Sequence, residues 1–391
     1  TKKRLFGNDI KSFRHSLFFM LEYIQGVIMM KILAAFDSFK ESMTAYAAGE
    51  AVQRAYNNVH ICPLADGGEG TMEVMNRYLH GDIHEIEVAG PLFKTVHAKL
   101  AIMDDLAIIE SAQACGLDYL IEEEKNGTEA TSYGVGEMMK YAYDHGVKRF
   151  LLTLGGSACN DGGIGLLSGM GYGFFDQFDQ RIPMNARGLE TLDHIKKTRL
   201  DLSSIEVEGA CDVTNPLCGK EGATYVFGPQ KKVKDLEKTD QAMKQYAKIM
   251  SELVDKDDSC TPGAGAAGGM GYAIVTGLNG KLVTGFDAVS RTVHLEEAIQ
   301  EADIIFTGEG KMDHQTLYGK TPIGVLRLAQ KYNKPVVAFC GKCEDKGTLL
   351  EAGFEDVRCI NHTDEPLSVL LEKGPQYLEE EVRRYLEEKN V

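Results

Sequence analysis

Apolar residues in this chain fall into short runs with two kinds of spacing. Ile32-Leu33-Ala34-Ala35-Phe36 is an unbroken apolar run, the pattern of a strand buried on both faces. Asp37-Ser38-Phe39-Lys40 follows it, and then an alanine-rich stretch of helical spacing from Thr44 to Tyr56, with Ser42 or Thr44 as its cap. The same rhythm returns near the other end, as a strand at Ala302 to Phe306, a helix at Pro322 to Tyr332, a strand at Pro335 to Phe339 and a helix at Lys346 to Ala352. Strands alternating with helices of this length predict a parallel sheet covered on both faces.

The middle of the chain has a different texture. It is richer in glycine loops, and Ile83 to Val88, Val96 to Ile102 and Leu106 to Glu110 read as antiparallel strands. The expectation is an α/β protein of two domains. One parallel-sheet domain is built from both chain ends, residues 29–65 and 290–391, and a second α/β domain, residues 66–289, is inserted into it. Glu372 to Val391 reads as a charged amphipathic helix lying solvated on the surface.

Residues 1–28 stand apart, with Lys2, Lys3, Arg4, Lys11 and Arg14 ahead of a mixed apolar segment. Glu22 and Gln25 interrupt that segment and no small-residue cleavage site follows, so it fits neither a signal peptide nor a membrane span. The expectation is a leader that is non-native or disordered, with the natural start at Met29 or Met30.

Apolar residues make up 43% of the chain and charged residues 26%, a balance that calls for folded globular domains. The net charge of -16, with no segregated basic patch, argues against nucleic acid as a partner. It does not argue against a nucleotide, which backbone N–H groups, a few lysines and a cation can hold locally. Nine cysteines at irregular spacing fit reduced thiols and a cytoplasmic protein better than a disulfide framework. Cys340 and Cys343 form a CxxC with no second pair and no histidine cluster, so it reads as structural rather than as a zinc site.

Five segments combine glycine with carboxylate, Asn or Thr more densely than packing requires. They run Cys62 to Thr71, Leu154 to Gly163, Ala210 to Pro216, Pro262 to Gly269 and Phe306 to Thr316. Glycine lets backbone N–H groups close on a phosphate, and a helix N-terminus beyond adds donors and a favourable dipole. Carboxylates in the same loops repel phosphate, and make sense if they hold Mg²⁺ or accept a proton. The combination points to phosphoryl transfer. Neither a Walker A pattern nor a protein-kinase HRD and DFG set occurs, which sets those two architectures aside.

Asp37, Ser38 and Lys40 stand at the carboxyl end of the first strand, where open α/β sheets place ligands. Lys40 suits a substrate carboxylate or a transferring phosphoryl group. Asn160 and Asp161 suit a ligand or a helix cap, and Asp212 with Asn215 suits a ligand or an Asx turn. His314 is available as a base, with no spacing to support that role.

These segments resemble the successive signatures of the bacterial-type glycerate kinases. The resemblance rests on Ala35 to Lys40, Pro63 to Thr71, Gly155 to Gly163, Cys211 to Pro216, Val226 to Lys231, Pro262 to Gly269, and Thr307 to Gly310 with Asp313, Gln315, Thr316, Gly319 and Lys320. They occur in the family's order from Met30 to the C-terminus. The resemblance implies a flavodoxin-like domain, an inserted domain of restriction-endonuclease-like topology, and ATP and D-glycerate meeting between them with Mg²⁺; in-line transfer there would be helped by a domain closure that excludes water. The implied product is phosphoglycerate, 2-phosphoglycerate being favoured over 3-phosphoglycerate.

Roles within that frame are assigned by chemistry. Lys40, Asp212 and Asp161 are the catalytic candidates, and Asp37, Ser38, Asp66, Ser157, Asn160 and Asn215 are the candidate contacts to the acceptor. The nucleotide candidates are Gly67, Gly68, Gly70, Thr71, Gly263, Gly265, Gly268, Gly269, Thr307, Gly308, Gly310 and Lys320, and the metal candidates are Glu69, Glu309 and Asp313. Three positions depart from the pattern: Glu41 and Phe93 where glycine is expected, and Cys159 where Thr is frequent. The alternatives are a kinase for another small hydroxy acid, or a non-catalytic nucleotide or metabolite sensor. The partners expected are small molecules, with no nucleic acid and no membrane; a homodimer is allowed, but nothing in the sequence argues for it.

Overall fold

The computed structural model describes residues 29–391 apart from Glu69, His314, Gln315, residues 317–319 and residues 363–364. The leader expected at 1–28 lies outside the described residues.

Among the described residues, thirteen strands are distributed over three sheets. In chain order they are β1 (Ile32–Phe36), β2 (Val59–Ile61), β3 (Asp82–Ala89), β4 (Thr95–Met103), β5 (Leu106–Glu110), β6 (Arg149–Thr153), β7 (Gly173–Phe175), β8 (His194–Lys196), β9 (Glu206–Ala210), β10 (Lys281–Val283), β11 (Ile304–Met312), β12 (Val336–Cys343) and β13 (Asp356–Cys359).

The first sheet is parallel throughout, in the order β2-β1-β11-β12-β13. Counted along its own strands this is 2-1-3-4-5, the flavodoxin-like order. The connection leaves β1 toward β2 on one side, while the later strands lie on the other. The crevice between the carboxyl ends of β1 and β11 is therefore the switch point at which such sheets bind ligands. The second sheet is mixed, β3-β4-β5-β6-β9-β10, antiparallel from β3 to β5 and parallel from β5 to β10. The expected antiparallel strands are β3, β4 and β5, and β7 pairs with β8 in a small third sheet.

Side-chain alternation along the strands explains the layering. Ile32, Ala34 and Phe36 of β1 pack with Phe306 and Phe339 beneath the helices Ala45–Ala55 and Gly374–Glu388. Leu33 and Ala35 face the other way, into a layer shared with Ala101, Ile108, Leu151 and Ala210 of the second sheet. The helices Thr71–Leu79, Gly285–Thr292, Leu295–Glu301 and Thr321–Gln330 contribute Met75, Val289, Leu295 and Leu326 to the same layer. The far face of the second sheet packs Ile109 and Leu152 against Met138 and Met139 of the helix Tyr133–Asp144. Both sheets are thus covered on both faces, and one apolar layer serves both.

Thr44 caps the first helix, its Oγ1 accepting from Ala47 N at 3.1 Å. The terminal helix is not simply solvated as expected: Leu378, Val382, Tyr385 and Leu386 are buried against the parallel sheet. Its buried Glu381 pairs with Arg358 and His362. Cys340 and Cys343 both lie on β12, and among the described residues no group of His, Cys, Asp and Glu is placed to hold a metal ion by itself. No described helix is long and apolar enough to cross a membrane.

Candidate active site

The end of β1 is tied to β11 by Asp37 N, which donates to Gly308 O at 3.0 Å. This places Asp37, Ser38 and Lys40 opposite Glu309 and Gly310, lining a cleft of about 1140 Å³ at the switch point. Lys320, at the start of the helix Thr321–Gln330, also lines it. The cleft is large for a small-molecule site, where volumes of roughly 300–1,000 Å³ are usual, and it has room for a nucleotide.

Asp37 Oδ2 accepts from the Thr321 hydroxyl at 2.6 Å and Oδ1 from Ser38 N at 2.7 Å. Burial nevertheless pushes its carboxyl up to about 6, opposed by the Thr321 hydrogen bond and reinforced by the charge of Asp66. Glu309 is also raised by burial, against the pull of Lys320, whose Nζ lies 3.0 Å from Oε2. The Thr316 hydroxyl donates to its other oxygen at 2.9 Å.

A second, smaller pocket of about 280 Å³ adjoins the first, and Asp66 and Gly68 belong to both. Its walls carry Gly155, Gly156, Ser157, Asp212 and Lys231. Asp212 Oδ1 accepts from Gly285 N at 3.0 Å. Gly67 is in the left-handed region, φ +83°, and a Cβ there would meet Gly285 Cα at 2.6 Å. That close approach brings the Asp66 loop onto the residue that holds Asp212. Burial raises the Asp212 carboxyl, the Gly285 N–H lowers it, and Asp66 raises it again. Asp66 therefore stands between two carboxylates, one in each cavity, and disfavours ionisation of both.

The glycines separate into two sets according to what a Cβ would meet. At Gly70 it would meet nothing within 4 Å, at Gly155 only Gly68 Cα at 3.6 Å, and at Gly310 only the Phe39–Lys40 backbone, from 3.6 Å. These glycines border open cleft. At Gly265 a Cβ would meet Pro216 O at 2.3 Å, at Gly268 Cys159 O at 2.1 Å, at Gly269 Gly162 Cα at 2.5 Å, and at Gly263 Cys211 Sγ at 2.9 Å. That run, expected to cradle phosphate, lets three loops stack backbone against backbone; only Ala266 and Ala267 from it reach the smaller pocket. Gly308 is likewise inside the sheet, a Cβ there meeting Phe339 O at 1.8 Å.

Other candidates line neither cavity. Asp161 is fully buried and accepts from Ser132 N, Ser132 Oγ, Gly163 N and Gly165 N at 2.8–3.3 Å, so both its oxygens are used to hold loops together. Asn160 donates to Thr224 Oγ1 at 2.9 Å, and Asn215 to Glu221 O at 2.8 Å. Thr71 is buried with its hydroxyl donating to Gly68 O at 2.7 Å, and Thr307 is enclosed on β11. Asp313 pairs with Lys311 at 3.1 Å. Glu69 and His314 lie outside the described residues.

Sequence reasoning gave no role to Gly155, Gly156, Lys231 and Glu110. The first three sit inside quoted segments, and position within a motif was their only signal. Lys231 is 3% exposed, with Nζ donating to Ser157 Oγ at 3.0 Å and to Cys159 O at 2.7 Å. Glu110, buried at the end of β5, accepts from Met72 N at 2.8 Å and so occupies one of the free donors that begin the helix Thr71–Leu79.

The chain matches the sequence profile of the glycerate kinase family over residues 32–388. It is 39% identical over 362 residues to a glycerate kinase of Haemophilus influenzae, covering 89% of this chain and 96% of that one. It is 37% identical over 341 residues to the glycerate 2-kinase of Escherichia coli, covering 84% and 90%. The crystal structure of a candidate glycerate kinase 2 from Salmonella typhimurium superposes with a TM-score of 0.85 at 37% identity, covering 92% of this chain and 98% of that one. Two adjoining cavities at the switch point of a flavodoxin-like sheet, lined by the loops of that family's signatures, accompany a match along almost all of the described chain: the protein belongs to the glycerate kinase family.

Proposed function

We propose that this chain is an ATP-dependent kinase that transfers the γ-phosphoryl group to a hydroxyl of D-glycerate, with 2-phosphoglycerate as product. The observation that carries this reading is the pair of unequal cavities sharing Asp66 and Gly68. The larger suits the nucleotide and the smaller a three-carbon acid, so donor phosphate and acceptor hydroxyl meet at the shared wall. The name of the Escherichia coli relative, a glycerate 2-kinase, supports the choice of the 2-hydroxyl.

In-line transfer forms a bond from the glycerate oxygen to the γ-phosphorus and breaks the bond to the bridging oxygen of ADP, and the enzyme mainly positions anions and neutralises charge. Lys40, exposed at the mouth of the larger cleft, supplies a mobile positive charge to the transferring group. Asp212, fixed by Gly285 N and already pushed toward protonation, is the group placed to orient the hydroxyl and take its proton. Asp161 has no part in this step, since its oxygens are committed to the core.

Mg²⁺ fits the donor set in the way usual for nucleotide enzymes, one or two carboxylates completing a shell of phosphate oxygens and water. Asp37 and Asp66, which repel one another across the cleft, are better candidates to hold it than Glu309 and Asp313, which are already paired with Lys320 and Lys311. When bound, the ion neutralises phosphate charge.

Coupled ADP release with ATP, Mg²⁺ and D-glycerate, followed by NMR of the product, tests the reading. Activity is expected to vanish without glycerate and to yield the 2-phosphate; folded protein that releases no glycerate-dependent ADP would refute it. Lys40→Ala is expected to lower kcat by about 10²–10³-fold with the fold intact, and near-normal turnover would remove Lys40 from the mechanism.

A further inference from the structure

We infer that Lys231 is the anchor for the substrate carboxylate, and that glycerate lies in the smaller pocket with its carboxylate at Lys231 and Ser157 and its hydroxyls toward Asp212 and Asp66. The inference rests on the kinase reading above and assigns one end of its acceptor site.

Lys231 is a cation buried with no carboxylate within ion-pair distance among the described residues. Its ammonium has three donors; two are used, on Ser157 Oγ and Cys159 O. Both hydrogen-bond partners are neutral and the nearby charge of Asp161 does not offset the burial, a costly arrangement unless a further anion completes it. Its burial also lowers its pKa, which an arriving carboxylate would reverse.

The rest of the wall gives the pocket a direction. Among the described residues, Lys231 is its one cationic side chain, while Asp66 and Asp212 are its two anionic ones. A hydroxy acid therefore has one favourable orientation, with the carboxylate at the lysine and the hydroxyls at the aspartates that border the nucleotide cleft. Gly155 and Gly156 leave the approach to Ser157 clear of side chains, and a Cβ on Gly156 would meet nothing closer than Ala112 Cβ at 3.4 Å. The anchor would act by position and charge, holding the carboxylate and not the reacting oxygen itself.

The test compares D-glycerate with D-glyceramide, which keeps both hydroxyls and replaces the carboxylate with an uncharged amide. The wild-type chain is expected to use glycerate at least 100-fold more efficiently by kcat/KM; equal use of the two overturns the inference without any variant. In Lys231→Met, kcat/KM for glycerate is expected to fall at least 100-fold, mainly through KM, while that for glyceramide and KM for ATP change by less than threefold. Lys231→Arg, which keeps the charge, is expected to recover part of the loss. If glycerate and glyceramide lose activity equally in Lys231→Met, Lys231 is structural or a proton acceptor and the inference falls. Absence of glycerate-dependent ADP release by the wild type would instead defeat the kinase reading itself.

Discussion

Replacing Asp37 with Asn probes the electrostatics of the larger cleft. Burial is the main reason the Asp37 carboxyl stands at about 6 rather than 3.8. Between those values the folded chain holds a proton that the unfolded chain has released, so stability falls as pH rises through the window and levels off above it. A gap of this size corresponds to about 3 kcal/mol at neutral pH. Asn is nearly isosteric, can still accept from Ser38 N, and can donate to the Thr321 hydroxyl if that group turns. The variant should therefore match wild type within about 0.5 kcal/mol at about pH 3, below both values, where the carboxyl is largely protonated in both states, and exceed it by about 2–3 kcal/mol near pH 7.5. Urea unfolding of both proteins across that range, read by far-UV circular dichroism, measures the difference directly. A difference that stays constant with pH would refute the argument that burial raises this carboxyl. Turnover should move the other way, because the ionised carboxylate is what Mg²⁺ and nucleotide would use, a trade of stability for activity.

Glu41 and Phe93 occupy the left-handed region, with φ of 63° and 60°. Glu41→Gly and Phe93→Gly should each stabilise the fold by about 1 kcal/mol, seen as a rise in Tm. Gly268→Ala should cost about 3 kcal/mol or more, because φ is +69° and the new Cβ would meet Cys159 O at 2.1 Å; loss of soluble protein or a steep fall in Tm checks this. Asp161→Ala should destabilise by about 3 kcal/mol through the buried N–H groups it orphans, while kcat per folded molecule, from ADP release normalised to the folded fraction, stays close to wild type.

How far the sequence could be read depended on what kind of information each residue carries. The unbroken run Ile32 to Phe36 fixes β1 to the residue, because a strand covered on both faces leaves no ambiguity of face. Two of the three departures from the family pattern are also informative: glycine is expected at Glu41 and Phe93, and both residues take the conformation that glycine would relieve. The run Pro262 to Gly269 was misleading, since a missing side chain looks the same in sequence whether the space goes to a phosphate or to a neighbouring loop. Asp161 stays open between ligand and cap in the sequence for a similar reason: its four donors come from residues 132 to 165, which only the fold brings together. The C-terminal helix carried its stripe in plain view at Leu378, Val382, Tyr385 and Leu386, but the many Glu and Arg residues around it obscured the face. Lys231 follows a turn that no local pattern places, and its burial next to Ser157 depends on contacts more than 70 residues apart.

The apolar layer between the two sheets has a consequence for modularity. Leu33, Ile305 and Ala338 on one side, and Ala101, Ile108 and Leu151 on the other, belong to a single cluster with the helices between them. Excising residues 66–289 as a free-standing unit would strip that cluster of its parallel-sheet half and leave an apolar face in water, so the fragment should aggregate rather than fold. Residues 66–289 share that apolar wall with the chain on either side of them. The two sheets should accordingly unfold together, and any closing of the cavities around substrates should fall to the loops at their rims rather than to a swing of one sheet against the other.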